Sequence, residues 1–288
     1  MTVVWSYPTI VCLVLGAAAV ATQRLGRRDL QATLLAWMAV LTAVSILVLA
    51  SLYSIALLLP EGHHGWCSSW LGHNMRRHIA AGVAGIFLVG LFVARGVHFL
   101  TSQFAQRRRI GPCEPIVVID ELRPIALALH GRPGSVVVST GLLDRLTRQE
   151  RMAVFAHETA HLELRHHRPR IATAVACRIA PILQPLKWAV EYATERAADE
   201  VAARAVGSRK IVANAIVATA LGVPTTTDGA LGFADAAIAR RIRALDEAQT
   251  FKRSRFVTSL VTVVSIAVVV VATAVQVHHL AMIIGVLA

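Results

Sequence analysis

Four long stretches without a charged side chain limit what this sequence can become. They cover residues 4–22, 31–59, 79–94 and 257–277. A helix needs roughly 20 apolar residues to cross the ~30 Å hydrocarbon core of a bilayer. The stretches 4–22, 31–59 and 257–277 reach that length. The stretch 79–94 reaches it if its helix continues to residue 98 while the Arg95 side chain extends toward the headgroups. We therefore predict four transmembrane helices, the third of them at 79–98.

Composition agrees with a membrane protein. Only 16% of the residues are charged, whereas a soluble domain has about a quarter. The stretch 4–22 could instead be a signal peptide, but no basic segment follows Met1 and residues 21–23 form a poor cleavage site. The lipid bilayer is therefore an expected partner of this chain.

Arginine clusters predict how the helices are oriented. One cluster lies at residues 24–28, between the first two stretches, and another at 107–109, after the third. Because cytoplasmic loops are enriched in Lys and Arg, both clusters face the cytoplasm if the N-terminus lies outside. Arg76 and Arg77 oppose this orientation. The expected organisation is 1–100 with three spans, a cytoplasmic domain at 101–256, and a last span with a short tail at 257–288, in a bacterial inner membrane.

The formal net charge of +12 is explained by the membrane rather than by nucleic acid. A basic domain tethered at an anionic leaflet is attracted to it. The sequence contains no recognisable nucleic-acid-binding signature, so we expect no direct binding of nucleic acid.

The middle of the chain has the pattern of a small α+β domain. Three β-like runs are predicted to form a small antiparallel sheet: Ile116–Ile119, Ile125–Leu129 and Val136–Thr140. A helix follows to about Arg165, beginning at Thr147 with Glu150 three residues on, which is a capping box. Further helices are expected at 187–206, ended by Gly207, and at 210–221, followed by a loop at 222–232. The proline-broken segment 171–186 leaves open whether it enters the membrane.

The motif His-Glu-Thr-Ala-His lies in the first of these helices. His157 and His161 are four residues apart, so both side chains lie on one helix face. Two imidazoles in this arrangement can bind one zinc ion. Glu158 lies one residue round the helix, where a general base could take a proton from a water beside the metal. The alternative is an ordinary polar helix that is rich in histidine.

A pair of carboxylates on the next polar helix favours the metal site. Glu195 can supply the third protein ligand of a catalytic zinc. Asp199, four residues on, can accept a hydrogen bond from the ring N–H of a zinc-binding histidine, on the nitrogen that does not bind the metal. Glu191 is a rival third ligand, although it has no Asp four residues later. A solvated helix with surface ion pairs is the alternative.

These two motifs, the segment SVVVSTGLLDRLTRQE and the flanking spans resemble the membrane-embedded gluzincin peptidases. The BlaR/MecR-type signalling peptidases and the HtpX-like and CAAX-prenyl-protease family are the two branches that fit, and the arrangement of spans favours the first. The resemblance implies a zincin-like fold with one zinc ion held by His157, His161 and Glu195. It also implies that Glu158 is the base and that Asp199 orients a ligand.

The resemblance further implies that one strand could pair with an extended substrate as a sheet edge. The candidate residues are Val136, Val137, Val138, Ser139 and Thr140; the alternative is ordinary sheet core.

The expected function is therefore a membrane-bound zinc metalloendopeptidase acting on a protein substrate at the cytoplasmic face. Cleavage of a transcription repressor, HtpX-like quality control of membrane proteins and a non-proteolytic zinc-binding adaptor remain as alternatives. His166 and His167 could assist catalysis or simply be solvated at a helix end, and histidines of the outer loop 60–78 are open in the same way.

Overall fold

The computed structural model describes residues 16–20, 22, 28–58, 75–109, 114–131, 134–220 and 228–246 of the 288-residue chain. The predicted span 257–277 lies outside these residues. Of the stretch 4–22, residues 16–20 and 22 are described, and they are helical. The outer loop predicted at 60–78 is described only from Met75 onward.

Two long helices, α1 (Arg28–Ala56) and α2 (Met75–Arg109), pack against each other in antiparallel directions. Each contains 28 residues that are apolar enough to cross a membrane by length and composition. Glycines allow close contact: a Cβ on Gly85 would collide with Ser54 Oγ. Two of the four predicted spans are thus candidate membrane helices in the described part of the chain.

Helix α2 continues well past its apolar segment. Gln and Arg are good helix formers, and the helix carries on through them to Arg109. The domain boundary predicted at residues 100–101 therefore falls inside this helix.

The small sheet is mixed, and the expectation of an antiparallel sheet was wrong. Its strands are β1 (Ile116–Ile119), β2 (Ala126–Leu129) and β3 (Ser135–Ser139), in the order β1-β3-β2. β2 pairs antiparallel with β3, whereas β1 pairs parallel with it, with Ile116 opposite Val136. The third strand of the sequence thus lies in the middle of the described sheet.

Helices make up the rest of the described chain. They are α3 (Thr140–Leu143), α4 (Arg148–Glu163), α5 (His167–Ile179), a 3₁₀ turn (Pro181–Leu183), α6 (Gln184–Val206), α7 (Arg209–Ala220) and α8 (Asp228–Asp246). Gly207 ends α6 in the left-handed conformation, at φ 70°, as its predicted role as a helix stop requires. α8 starts within the segment predicted as a loop at 222–232, so that prediction was too long.

One hydrophobic core joins the metal-motif helices to the C-terminal helices. Its members come from α3, α4, α6, α7 and α8, and they include Leu142, Ala153, Ala202, Ile216 and Leu245. This core fixes α4 against α6 and holds α8 against α7 and α6.

Helices α5 and α6 form a hairpin that packs along α1. Small residues of α1 pack with them: Ala32 and Ala36 share a buried cluster with Val190 of α6. Ala39 and Ala43 share another with Ala180, near the turn of the hairpin. Pro181 and Pro185, which interrupt the apolar segment 171–186, lie in the first turns of the 3₁₀ helix and of α6. A missing N–H costs little there, because the first N–H groups of a helix have no intrahelical partner. One face of the first half of α1 is therefore apolar because it packs against protein.

Candidate metal centre

The histidine motif lies in a helix whose start is fixed by its own sequence. The Thr147 hydroxyl accepts from the Glu150 backbone N–H, and the Glu150 carboxylate accepts from the Thr147 N–H, which completes the predicted capping box. The helix then runs unbroken through His157 and His161. Their Nε2 atoms lie 3.1 Å apart, so the two rings converge as their spacing predicts.

Helix α6 brings the predicted carboxylates to the same place. Glu195 Oε2 lies 3.5 Å from His157 Nε2, and Glu195 Oε1 lies 3.6 Å from His161 Nε2. One ligand atom from each of these three residues lies within 4.8 Å of the other two. The sequence spacing of 34 residues is thus bridged by the packing of α4 against α6.

Asp199 and Glu191 occupy very different surroundings. Asp199 is fully buried, and its Oδ1 lies 3.2 Å from His157 Nδ1, the ring nitrogen that points away from the cluster. Glu191 instead pairs with Lys187 at 2.6 Å on the outside of α6, with 40% of its side chain exposed. The geometry favours Glu195 over Glu191 as the third ligand.

Glu158 lines the same cleft as the cluster. The cleft has a volume of about 700 Å³ and is bordered by β2, α4, α7 and the start of α5. Burial raises the pKa of the Glu158 carboxyl above its usual value. A carboxylate in such a position is suited to exchanging protons with a reacting group.

Two arginines that the sequence analysis missed neutralise the carboxylates. Arg241 of α8 donates from Nε and Nη2 to both oxygens of Asp199, at 3.0 and 2.6 Å. Its Nη1 also lies 2.9 Å from Glu195 Oε2, while Arg170 of α5 donates to Glu195 Oε1. No spacing relation in the sequence connects these arginines with the motifs, so only the tertiary structure reveals them.

The pKa values of the two histidines are shifted in opposite directions. Burial opposes protonation of His157, but hydrogen bonds to Asp199 and Glu195 outweigh it and raise the pKa of this ring to about 9. Burial and the neighbouring His157 lower the pKa of His161 to about 3. Despite its burial, the pKa of Glu195 lies well below its usual value because His157, Arg241 and Arg170 surround it. The carboxylates therefore stand ready as anions.

His166 is buried rather than solvated, contrary to the simpler expectation for a histidine at a helix end. Its side chain is 1% exposed, and its Nδ1 lies 2.9 Å from His161 Nδ1. Arg165, just before it, adopts a left-handed φ of 52°, and this turn between α4 and α5 brings His166 back onto the metal-motif helix. His167 packs against His130, with ring centroids 4.2 Å apart and the ring planes tilted by 56°.

The proposed substrate-pairing strand was assigned to the wrong part of the sheet. Val136, Val137, Val138 and Ser139 belong to β3, which is buried throughout and paired on both sides, and Thr140 begins α3. A central strand has no free backbone edge to offer a substrate. β2 lies at the sheet edge instead, and its residues 126–129 line the cleft.

Comparisons with known proteins agree with this site. Residues 112–220 match the model of peptidase family M48. The protease HtpX of Legionella pneumophila subsp. pneumophila strain Philadelphia 1 is 37% identical over 86 residues, and those of strains Corby and Lens are 38% identical over 87 residues. The alignments cover 29% of this chain and 29% of each relative, so the chain spans under a third of their length. No solved structure matches this chain significantly.

The segment that matches the family model contains both the histidine motif and the Glu195–Asp199 motif. Of the two branches that the sequence resembles, the relatives support the HtpX-like one. Through a domain similar to peptidase family M48, this chain is related to the HtpX-like membrane zinc metallopeptidases.

Proposed function

We propose that this protein is a zinc metalloendopeptidase that hydrolyses peptide bonds of a protein substrate. The observation that carries the proposal is the convergence of His157, His161 and Glu195 beside Glu158 in one cleft. The similarity to peptidase family M48 supports the same chemistry.

The donor atoms fit one zinc ion. Three atoms bonded to a tetrahedral zinc at about 2.0–2.1 Å lie about 3.3 Å from one another. Here the two Nε2 atoms lie 3.1 Å apart, Glu195 Oε2 lies 3.5 Å from His157 Nε2, and Glu195 Oε1 lies 3.6 Å from His161 Nε2. With a single Glu195 oxygen as ligand, all three ligand atoms lie within 4.8 Å of one another. A set of two histidines and one glutamate leaves the fourth position open, as hydrolytic sites require. Structural zinc sites fill all four positions, usually with cysteines, which makes the adaptor alternative the weaker one.

Glu158 and Asp199 have distinct parts in the proposed reaction. Zinc held there would supply Lewis-acid chemistry, which lowers the pKa of a water and polarises the scissile carbonyl. Glu158 takes the proton from the attacking water and passes it to the leaving amine. Asp199 accepts the Nδ1–H of His157 and so keeps Nε2 of that ring free for the metal.

The free edge of β2 is the element best placed to hold the substrate. An extended peptide can add to an exposed sheet edge through main-chain hydrogen bonds. β2 is the edge strand of the described sheet that also lines the cleft. We therefore transfer the substrate-pairing role from β3 to Ala126–Leu129.

The location follows from the candidate spans and the arginine clusters. We propose a multi-pass protein of a bacterial inner membrane, with the cleft on the cytoplasmic side. α1 and α2 support the membrane part, and the arginines at 24–28 and 107–109 support the orientation.

Two classes of substrate remain in competition. The relatives are named protease HtpX, and the HtpX-like branch that the sequence resembles implies a quality-control protease that acts on membrane proteins. Cleavage of a single transcription repressor rests only on the arrangement of spans that the sequence predicts. Proteomic comparison of cells with and without the gene separates them: many stabilised membrane proteins favour the first, and one stabilised DNA-binding protein favours the second.

Replacing Glu158 by Gln tests the chemistry. We expect the purified variant to keep one equivalent of zinc while self-cleavage and cleavage of an unfolded reporter protein fall about 10²–10⁴-fold, the usual contribution of a general base. Glu163→Gln on the same helix, at an exposed position, is the matched control and should cleave normally. If the Glu158 variant still cleaves at the wild-type rate, its assigned role is wrong.

A further inference from the structure

The turn between α5 and α6 presents apolar side chains to its surroundings. Ile182 is 80% exposed and Trp188 is 55% exposed, and Pro181 and Pro185 beside them are exposed as well. On its other side the turn is firmly packed, since Ala180 and Leu183 are buried against α1. This tip, residues 179–188, is therefore a rigid apolar projection rather than a loose loop.

The tip lies beside the middle of both candidate spans, not beside their ends. On α1, Ala43 belongs to the same buried cluster as Ala180 and Leu183 of the tip. Ala43 is 15 residues after Arg28, or about 22 Å along the helix at 1.5 Å per residue. On α2, a Cβ added at Gly96 would lie 3.0 Å from Ile179. Gly96 is 10 residues, or about 15 Å, before the inner end of that span at Gln106.

Both depths are greater than the length by which a span exceeds the hydrocarbon core. A 28-residue span is about 42 Å long, which is about 12 Å more than the ~30 Å hydrocarbon core. Even if all the excess lies on the inner side, Gly96 is about 3 Å and Ala43 about 10 Å inside the hydrocarbon. The tip that touches both residues must then share their depth.

Backbone N–H groups at the bend of the tip have hydrogen-bond partners, as a lipid environment demands. At the break between α5 and α6, Ala180 N–H donates to Ala176 O at 2.7 Å and Leu183 N–H donates to Ala180 O at 3.0 Å. Arg178 lies 4.7 Å above the ring of Phe99 on α2. The ammonium of Lys187 is paired with a carboxylate one turn further along α6. Both cations have long stems that can carry their charges toward the headgroups.

From these observations, we propose that residues 179–188 enter the hydrocarbon of the bilayer as a partly inserted hairpin. Ile182 faces the lipid tails, and Trp188 lies nearer the interface, where its amphipathic ring is favoured. The hairpin then anchors α5 and α6, and with them Arg170 and Glu195, at a fixed height above the membrane. This inference rests on the proposed membrane location but not on the proposed catalysis.

Spin labels at three positions with highly exposed side chains test the proposal. The full-length protein is reconstituted into phosphatidylglycerol/phosphatidylethanolamine liposomes. A background without Cys12, Cys67, Cys113 and Cys177 carries one new cysteine at a time. Ile182→Cys is compared with Leu122→Cys in the turn between β1 and β2, 83% exposed, and with Phe87→Cys on α2, 69% exposed. Collision of each label with oxygen, which concentrates in lipid, and with a water-soluble nickel chelate is measured by electron paramagnetic resonance.

We expect the label at Ile182 to behave like that at Phe87, with oxygen accessibility dominant, and opposite to that at Leu122. A label at Ile182 that favours the nickel chelate as Leu122 does would overturn the inference. A label that neither reagent reaches would also overturn it, because another protein segment would then cover the tip. If the Phe87 label is itself in water, the membrane location fails along with the insertion.

Discussion

Arg241 offers the sharpest test of how the cluster is held together without a metal. Its guanidinium makes two hydrogen bonds to the fully buried Asp199 and a third contact with Glu195. Replacing it by Met keeps the packing volume but leaves a buried carboxylate without its cation. Breaking a buried pair in this way costs about 3–5 kcal/mol. Most of the cost falls on Asp199, because Glu195 is 24% exposed and retains Arg170.

The loss should appear as a fall in melting temperature that depends on zinc. At about 2–4 °C per kcal/mol for domains of 150–250 residues, Arg241→Met should melt roughly 6–20 °C below wild type in detergent with a chelator. Bound zinc places positive charge beside the same carboxylates, so adding zinc should recover a large part of the difference. Tryptophan fluorescence during heating measures both conditions.

Arg243→Met, two residues away at an exposed position of the same helix, is the control and should melt within about 1 °C of wild type, as surface substitutions usually do. The reasoning is refuted if Arg241→Met melts like this control in chelator, or if zinc leaves its deficit unchanged.

Three further substitutions have defined outcomes. His166→Ala should weaken zinc affinity about 10–100-fold in a chelator competition, because the ring that contacts His161 is lost; unchanged affinity would make His166 a packing residue. Gly207→Ala should destabilise by about 1–2 kcal/mol through its left-handed φ alone, since nothing lies within 4 Å of the added Cβ; thermal unfolding measures this, and an unchanged melting temperature would contradict it. Thr147→Ala should cost about 0.5–2 kcal/mol by removing the cap of the histidine helix, whereas Thr147→Ser should restore most of it.

Local chemistry is what the sequence predicted well. The capping box at Thr147, the stop at Gly207 and the convergence of two histidines one turn apart all depend on residues within a few positions of one another. The grouping of Glu195 with the histidine pair required one assumption about tertiary structure, that two helices pack face to face. Covalent spacing and helix periodicity are sufficient for such inferences.

Long-range relations are what the sequence could not predict. The parallel pairing of β1 with β3 depends on how the chain crosses over, and no alternation of apolar residues encodes that direction. Arg241 is 42 residues from Asp199, and one arginine among several on an amphipathic helix carries no mark of its partner. The uncharged length of α1 was assigned wholly to lipid, although α5 and α6 pack against one face of its first half. Apolar residues that face protein and those that face lipid look the same in sequence.

The central claim is that His157, His161 and Glu195 hold one zinc ion in a site with an open position. X-ray absorption at the zinc edge, with metal analysis of the same purified full-length protein, tests it most directly. We expect one zinc per chain, four nitrogen or oxygen neighbours at about 2.0–2.1 Å, imidazole scattering from two histidines and no sulfur neighbour. A sulfur shell near 2.3 Å, or protein that holds no zinc after metal-replete purification, would contradict it.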